Sequence, residues 1–241
     1  MAELNPAAVP LSLYIHMPWC VRKCPYCDFN SHAVPDGQLS LELEQEYLRA
    51  LVEDFKTQVD FAQGRQIHSV FIGGGTPSLI SALGYQWLFD QLKAVIPFAE
   101  GCEITLEANP GTVEHDPFAG YLQAGINRLS IGVQSFNTEH LKRLGRIHSN
   151  EDAISAIGLA REAGFQRINV DLMHGLPEQT LEQALHDLKL AVEQGATHIS
   201  WYQLTIEPNT VFFRTQPILP VDEVLEDIQE QGELYLKAQG F

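Results

Sequence analysis

Three cysteines close together, Cys20, Cys24 and Cys27, constrain this chain more than any other feature. Their C-x3-C-x2-C spacing falls in LSLYIHMPWCVRKCPYCDFN (Leu11–Asn30), a stretch that begins as a strand and ends as a loop. Thiolates this close in one loop can turn toward a common centre, and as soft ligands they select iron–sulfur clusters, zinc or copper(I). A four-iron cluster on three cysteines keeps one iron without a protein ligand, and an open coordination position is where metal chemistry happens. Spacing alone leaves a second reading open, a structural zinc site completed by His16, His32 or Asp28. Cys102 is distant and reads as a packed or surface thiol. A clustered set of thiols points to a metal site in a reducing compartment, not to a disulfide framework.

Periodicity downstream of the loop sets the fold class. Leu11, Leu13 and Ile15 alternate with Ser12, Tyr14 and His16, the pattern of a strand. Further strands are expected at residues 68–72, 103–108, 128–133, 167–172 and 198–204. Helices are expected at residues 40–61, 79–95, 117–124, 138–144, 151–163, 181–193 and 221–238, with an irregular stretch at 207–220. Strands alternating with helices imply parallel βα units. LQAGINRLSIGV, REAGFQRINVDL and VEQGATHISWYQ repeat one pattern, a helix end, a glycine (Gly125, Gly164, Gly195) and a strand. The final LKAQGF stops where a further strand would begin, so the chain reads as truncated.

Each strand opposes an aliphatic row to a small, polar one: Leu129, Ile131 and Val133 against Ser130, Gly132 and Gln134, and Ile168, Val170 and Leu172 against Asn169 and Asp171. The interior of a closed barrel is filled by bulky branched residues. A polar row on strand after strand predicts instead an open, wet interior that holds a ligand: an α/β fold of six parallel βα units curled into a partial barrel. Residues 1–10 read as a tail, 11–205 as the core domain, and 206–241 as the start of a carboxy-terminal region.

Charge narrows the class of partner. Fifteen Lys and Arg against 31 Asp and Glu give a net charge of -16, which argues against nucleic-acid binding. The acid is densest in Glu42–Asp60 and Asp222–Glu233, both helical in pattern and read as solvated faces. No signal sequence opens the chain and no apolar run reaches the ~18 residues of a membrane span, so a cytoplasmic protein is expected.

The cysteine spacing, with Tyr26 before the third cysteine, resembles the radical S-adenosylmethionine (radical-SAM) family. The strings YIHMPWC, KCPYCDF and IGGGTPS (Ile72–Ser78) are similar to the branch holding oxygen-independent coproporphyrinogen oxidase and the HemW-type haem chaperones, and the resemblance runs from Leu11 to at least Thr210. It implies a (βα)6 partial TIM-like barrel and a [4Fe–4S] cluster on Cys20, Cys24 and Cys27. S-adenosylmethionine would chelate the open iron, and reductive cleavage of its C–S bond would give a 5′-deoxyadenosyl radical. It further implies S-adenosylmethionine contacts from Gly74, Gly75 and Thr76, which follow a strand and expose backbone groups to a zwitterion. Glu107, Gln134, Arg146 and Asp171, in LEANP, GVQSF, LGRIH and NVDLMHGLP, would meet its ribose, adenine and carboxylate. Tyr14 and Tyr26 would lie near the cosubstrate, and Leu204, in WYQLT, beside adenine or in the core.

One departure bears on activity. The oxidase pattern resembles C-x3-C-x2-C-x-C, and this chain has Phe29 at the fourth cysteine. CDFNSH and the EPNT of Glu207–Thr210 are similar to the haem-chaperone branch. The resemblance therefore implies a protein that binds haem and passes it to a haem-accepting protein, with coproporphyrinogen III oxidative decarboxylation as the alternative. An electron donor and a monomeric or homodimeric state are expected. None of the nine histidines is singled out as a haem ligand.

Overall fold

The computed structural model describes residue 5 and residues 8–111 and 116–241; residues 1–4 and 6–7 of the expected tail lie outside the described residues. Six strands, β1 (Leu11–Met17), β2 (Ile67–Gly74), β3 (Phe98–Ala108), β4 (Arg128–Gln134), β5 (Ile168–His174) and β6 (His198–Gln203), form one parallel sheet in chain order. Each parallel pair needs a crossover, and helices supply them. These are α1 (Leu41–Thr57), α2 (Ala82–Val95), α3 (Phe118–Gln123), α4 (Thr138–Arg143), α5 (Asn150–Glu162) and α6 (Leu181–Glu193), followed by α7 (Val211–Thr215) and α8 (Asp222–Gln239). β1 and β6 are the two edges, so the sheet is open. The fold is the parallel α/β arrangement that the periodicity predicts.

Local chemistry starts and stops the helices. Ser40, Ser81, Ser149 and Thr180 each accept a backbone N–H from the first turn they precede, and the last two form complete capping boxes. The repeated glycines end helices as expected. Ile126, Phe165 and Ala196, each next after one of them, donate back to the carbonyls of Tyr121, Ala160 and Ala191 at 3.1 Å. Outside the sheet the aliphatic rows are sealed under the helices: Leu129, Ile131, Val133, Val170 and Leu172 are all fully buried. On the inner face, cross-strand pairs continue the polar rows, with Ser130 beside Asn169 and Asp171 beside Ser200.

Some element boundaries differ from expectation; the helix expected from 79 begins at Ala82, because Ser81 caps it. β3 begins at Phe98 rather than 103, because a register shift and Gly101 (φ 71°) interrupt its alternation. The helix expected over 40–61 ends at Thr57 and resumes as one turn, Val59–Ala62. The stretch expected to be irregular contains α7, too short for a periodic signal; Thr210 caps it, and its Phe212 N–H donates to the Pro25 carbonyl in the cysteine loop at 3.0 Å.

Candidate cluster and cofactor site

The inner face of the sheet and the cysteine loop enclose a cavity of about 490 Å³ at the carboxy-terminal ends of the strands. Cys20, Cys24 and Cys27 all line it as free thiols, Cys20 buried and the other two half-buried. The loop is closed by a two-residue pairing of Trp19–Cys20 with His32–Ala33, and Cys27 N–H bonds the Cys24 carbonyl at 3.2 Å. Burial, the foremost cause, pushes the Cys20 thiol up. Among the described residues no three Cys, His, Asp or Glu side chains converge as one metal ion requires. Three thiols that line one cavity suit a cluster, which offers each thiolate its own iron. The imidazoles of the zinc reading lie elsewhere. His16 bonds the Tyr14 hydroxyl at 3.0 Å and the Asn30 carbonyl at 2.8 Å, and exposed His32 bonds the Asn30 side chain at 3.2 Å.

The glycine segment is stitched to the cysteine loop. Gly75 N–H donates to the Met17 carbonyl and Thr76 N–H to the Trp19 carbonyl, both at 2.6 Å. Gly74 adopts φ 113° and turns its N–H to Glu107 Oε2 at 3.2 Å. A Cβ on Gly75 would overlap the Trp19 carbonyl, so glycine here sets how closely the two loops approach.

Arg146 lies deep in the site. The α4 helix ends at Gly145 (φ 67°), and the Arg146 N–H closes that turn on the Leu141 carbonyl at 2.9 Å. Its Nη2 donates to Asn109 Oδ1 at 2.5 Å and to the Gly132 carbonyl at 2.8 Å, and its Nη1 reaches Cys24 Sγ at 3.6 Å. No carboxylate pairs with it among the described residues. A buried cation without a carboxylate partner is costly, and Tyr26 and Cys24 are the neighbouring groups that favour its charge.

Glu107 and Asp171 face each other across the sheet. Burial, then the Asp171 charge, raise the Glu107 carboxyl to about 7, against a lowering by the Gly74 N–H. Burial also raises Asp171, opposed by hydrogen bonds from Ser130, Ser200 and Asn169. The Ser130 hydroxyl donates to Asp171 at 3.0 Å and the Asn169 amide at 2.7 Å. Gln134 sits at the end of β4 with φ 67°, its Oε1 accepting from the Tyr202 hydroxyl at 2.7 Å.

The remaining expected residues are spread out. Tyr26 lines the cavity and packs on Phe212, with ring centroids 6.2 Å apart. Leu204 lines it too, and belongs to a small apolar cluster with Met173 and Leu176. Tyr14 stands outside the lining, 57% exposed on the first strand and stacked on Phe71. Sequence reasoning missed Asn109, which donates to Thr76 Oγ1 at 3.1 Å while accepting from Arg146. It also missed Ser200 and Tyr202, whose alternation continues the inward row of β6 and gave the available signal. Cys102 is apart from the site, half-buried on β3.

Comparison with known proteins adds four findings. The model of the Radical SAM superfamily matches residues 14–191. The chain is similar to "Heme chaperone HemW" of Escherichia coli (strain K12), at 56% identity over 232 residues, covering 96% of this chain and 60% of that protein. It resembles the protein of the same name from Haemophilus influenzae at 55% identity over 240 residues, covering 98% of this chain and 62% of that one. Among solved structures, Escherichia coli coproporphyrinogen III oxidase (HemN), described as a radical SAM enzyme, superposes with a TM-score of 0.83 at 30% identity, over 98% of this chain and 54% of that one. The chain thus spans about three-fifths of the length of these curated relatives.

Proposed function

The chain belongs to the radical SAM superfamily, and on that premise we propose that it is the core of a HemW-type haem chaperone, which binds haem and passes it to an acceptor protein in the cytoplasm. The family implies a [4Fe–4S] cluster and S-adenosylmethionine. In our reading Cys20, Cys24 and Cys27 hold the cluster, which when reduced supplies an electron. The observation that carries the reading is the cavity itself: three free thiols, a buried arginine without a carboxylate partner and two facing carboxyls line one space.

Each residue then has a task its chemistry suits. The Arg146 guanidinium takes the S-adenosylmethionine carboxylate, and its contacts to Asn109 and Gly132 fix the fork beforehand. Backbone groups of Gly74, Gly75 and Thr76 orient the amino group. Glu107, Asp171 and Gln134 accept from the ribose hydroxyls and the adenine edge. Glu107, held at about 7, keeps a proton for part of the time near neutral pH and so can donate as well as accept. Tyr26 and Leu204 supply apolar surface beside the base, and Tyr14 lies at the outer edge of the site. The 55–56% identity to proteins named as haem chaperones supports haem as the cargo. No helix among the described residues is long and apolar enough to cross a membrane.

A second reading, coproporphyrinogen III oxidation, draws support from the 0.83 superposition on the oxidase. Phe29, 56% exposed where the oxidase pattern has a fourth cysteine, weighs against it. Full-length protein, its cluster rebuilt without oxygen, would be incubated with S-adenosylmethionine, reductant and coproporphyrinogen III, with haem titrated in parallel. We expect saturable haem binding and no loss of carbon dioxide by mass spectrometry. Decarboxylated product together with 5′-deoxyadenosine would establish the oxidase instead.

A further inference from the structure

We propose that Asp187, on the outer helix α6, is a positioning residue that holds the turn aiming Gln134 into the cavity. This rests on reading Gln134 as an S-adenosylmethionine contact and goes beyond it by naming what keeps that residue in place.

Three observations meet at this turn. First, the β4–β5 register carries an extra residue on β4: Ile131 pairs with Val170, but Gln134 pairs with Leu172. An extra residue bends a strand end and redirects its side chains, a device common beside active sites. Second, Gln134 itself sits at φ 67°, in the left-handed region that side-chain-bearing residues avoid. Such a conformation persists only where the surroundings over-determine it. Third, the residues straight after Gln134 are tied down by one buried carboxylate. Asp187 Oδ2 accepts from the Ser135 hydroxyl at 2.7 Å and Oδ1 from the Phe136 N–H at 2.8 Å. Ser135 Oγ in turn accepts the Asn137 N–H at 3.0 Å, at the cap of α4.

Asp187 is 1% exposed and forms no ion pair among the described residues. An aliphatic residue would be the ordinary occupant of the sheet-facing side of a crossover helix, where Ala184, Leu188 and Ala191 are also buried. A carboxylate in that row is explained by its two acceptors, which brace a turn whose own backbone closure is the Ser135 N–H to the Val133 carbonyl at 2.9 Å. From the cavity side the Tyr202 hydroxyl fixes the far end of Gln134. Asp187 sets the backbone and Tyr202 sets the side chain. Asp187 lines no part of the cavity, so its effect on binding is indirect, and the double variant with Gln134 tells whether it runs through that residue.

The test is S-adenosylmethionine binding by equilibrium dialysis to full-length, anaerobically reconstituted protein, with iron content, unfolding temperature and hydrogen exchange at Phe136 measured alongside. The variants are Gln134→Ala, Asp187→Ala, Asp187→Asn and the double Gln134→Ala/Asp187→Ala. We expect Gln134→Ala and Asp187→Ala each to weaken binding about tenfold, the loss of roughly one good hydrogen bond. The double variant should bind no worse than the weaker single, because the two act as one unit. Phe136 should exchange faster in Asp187→Ala. Asp187→Asn should recover most of the affinity, since its amide can accept from Phe136 and donate to Ser135. If Asp187→Ala does not fold, Ser135→Ala, which removes one of the two bonds, carries the same comparison. Wild-type binding by Gln134→Ala would overturn the reading of Gln134 itself. Weakened binding by Gln134→Ala, with wild-type or fully additive behaviour at Asp187, would overturn the positioning role and leave that reading standing.

Discussion

Replacing Gly75 by alanine should damage the chain through one methyl group. Gly75 is absent from the residues with positive φ, so alanine meets no backbone strain there. The obstacle is steric. The new Cβ would overlap the Trp19 carbonyl oxygen and lie 2.8 Å from the Trp19 carbonyl carbon and 2.9 Å from the Met17 oxygen. These are backbone atoms that no rotamer change can move aside. Overpacking of a tight site costs about 1–3 kcal/mol. Parting the loops also weakens the two 2.6 Å bonds from Gly75 and Thr76, each worth about 1 kcal/mol. The total is about 3–5 kcal/mol, a fall in unfolding temperature of roughly 10 °C for a domain of this size. Because Trp19 precedes Cys20, the displacement should also lower iron and sulfide content after anaerobic reconstitution. Gly158→Ala is the control: it lies inside α5 with no atom within 4 Å of a new Cβ, and should stabilise by about 0.5–1 kcal/mol. Thermal unfolding by circular dichroism and metal analysis read both variants. A Gly75→Ala protein that unfolds within ~0.5 kcal/mol of wild type and loads a full complement of iron would refute the steric account.

Three further outcomes follow from the same geometry. Glu107, raised from 4.5 to about 7, holds a proton in the folded chain that the unfolded chain has released between those values. Stability should therefore fall as pH rises across that window. Glu107→Gln should remove about 3 kcal/mol of that fall, seen in urea titrations at several pH values, while Asp187, also raised to about 7 by burial, keeps the rest. Glu44, buried in α1, accepts from Ser81 N–H at 3.0 Å and from its hydroxyl at 2.6 Å. Glu44→Ala should cost about 2–3 kcal/mol by denaturant unfolding yet leave iron loading intact, because it joins α1 to the start of α2 away from the cavity. Arg146→Lys keeps the charge but not the fork that spans Asn109 and Gly132. On the proposed reading it should weaken S-adenosylmethionine binding at least about tenfold by equilibrium dialysis, and unchanged affinity would show that the carboxylate binds elsewhere.

The sequence by itself determined the architecture. Period-two strands, period-3.6 helices and a repeated helix–glycine–strand unit are local signals, and parallel pairing follows from strands joined by helical crossovers, while the chain order of the strands is seen in the sheet itself. The split between aliphatic and polar rows announced an open, polar-lined interior, and the cysteine spacing marked three thiols that share its cavity. Local pattern stopped short where a residue's task depends on a distant one. Nothing around Asn109 tells that it bridges Thr76 and Arg146, 33 and 37 positions away. Nothing around Asp187 tells that it reaches back about 50 positions to the turn after Gln134. The start of β3 and the short α7 were equally hidden, one by an interrupted register and the other by its five-residue length. Tertiary structure decided these because a hydrogen bond is set by angstrom-scale approach across the barrel, and sequence spacing encodes only what neighbours along one element share.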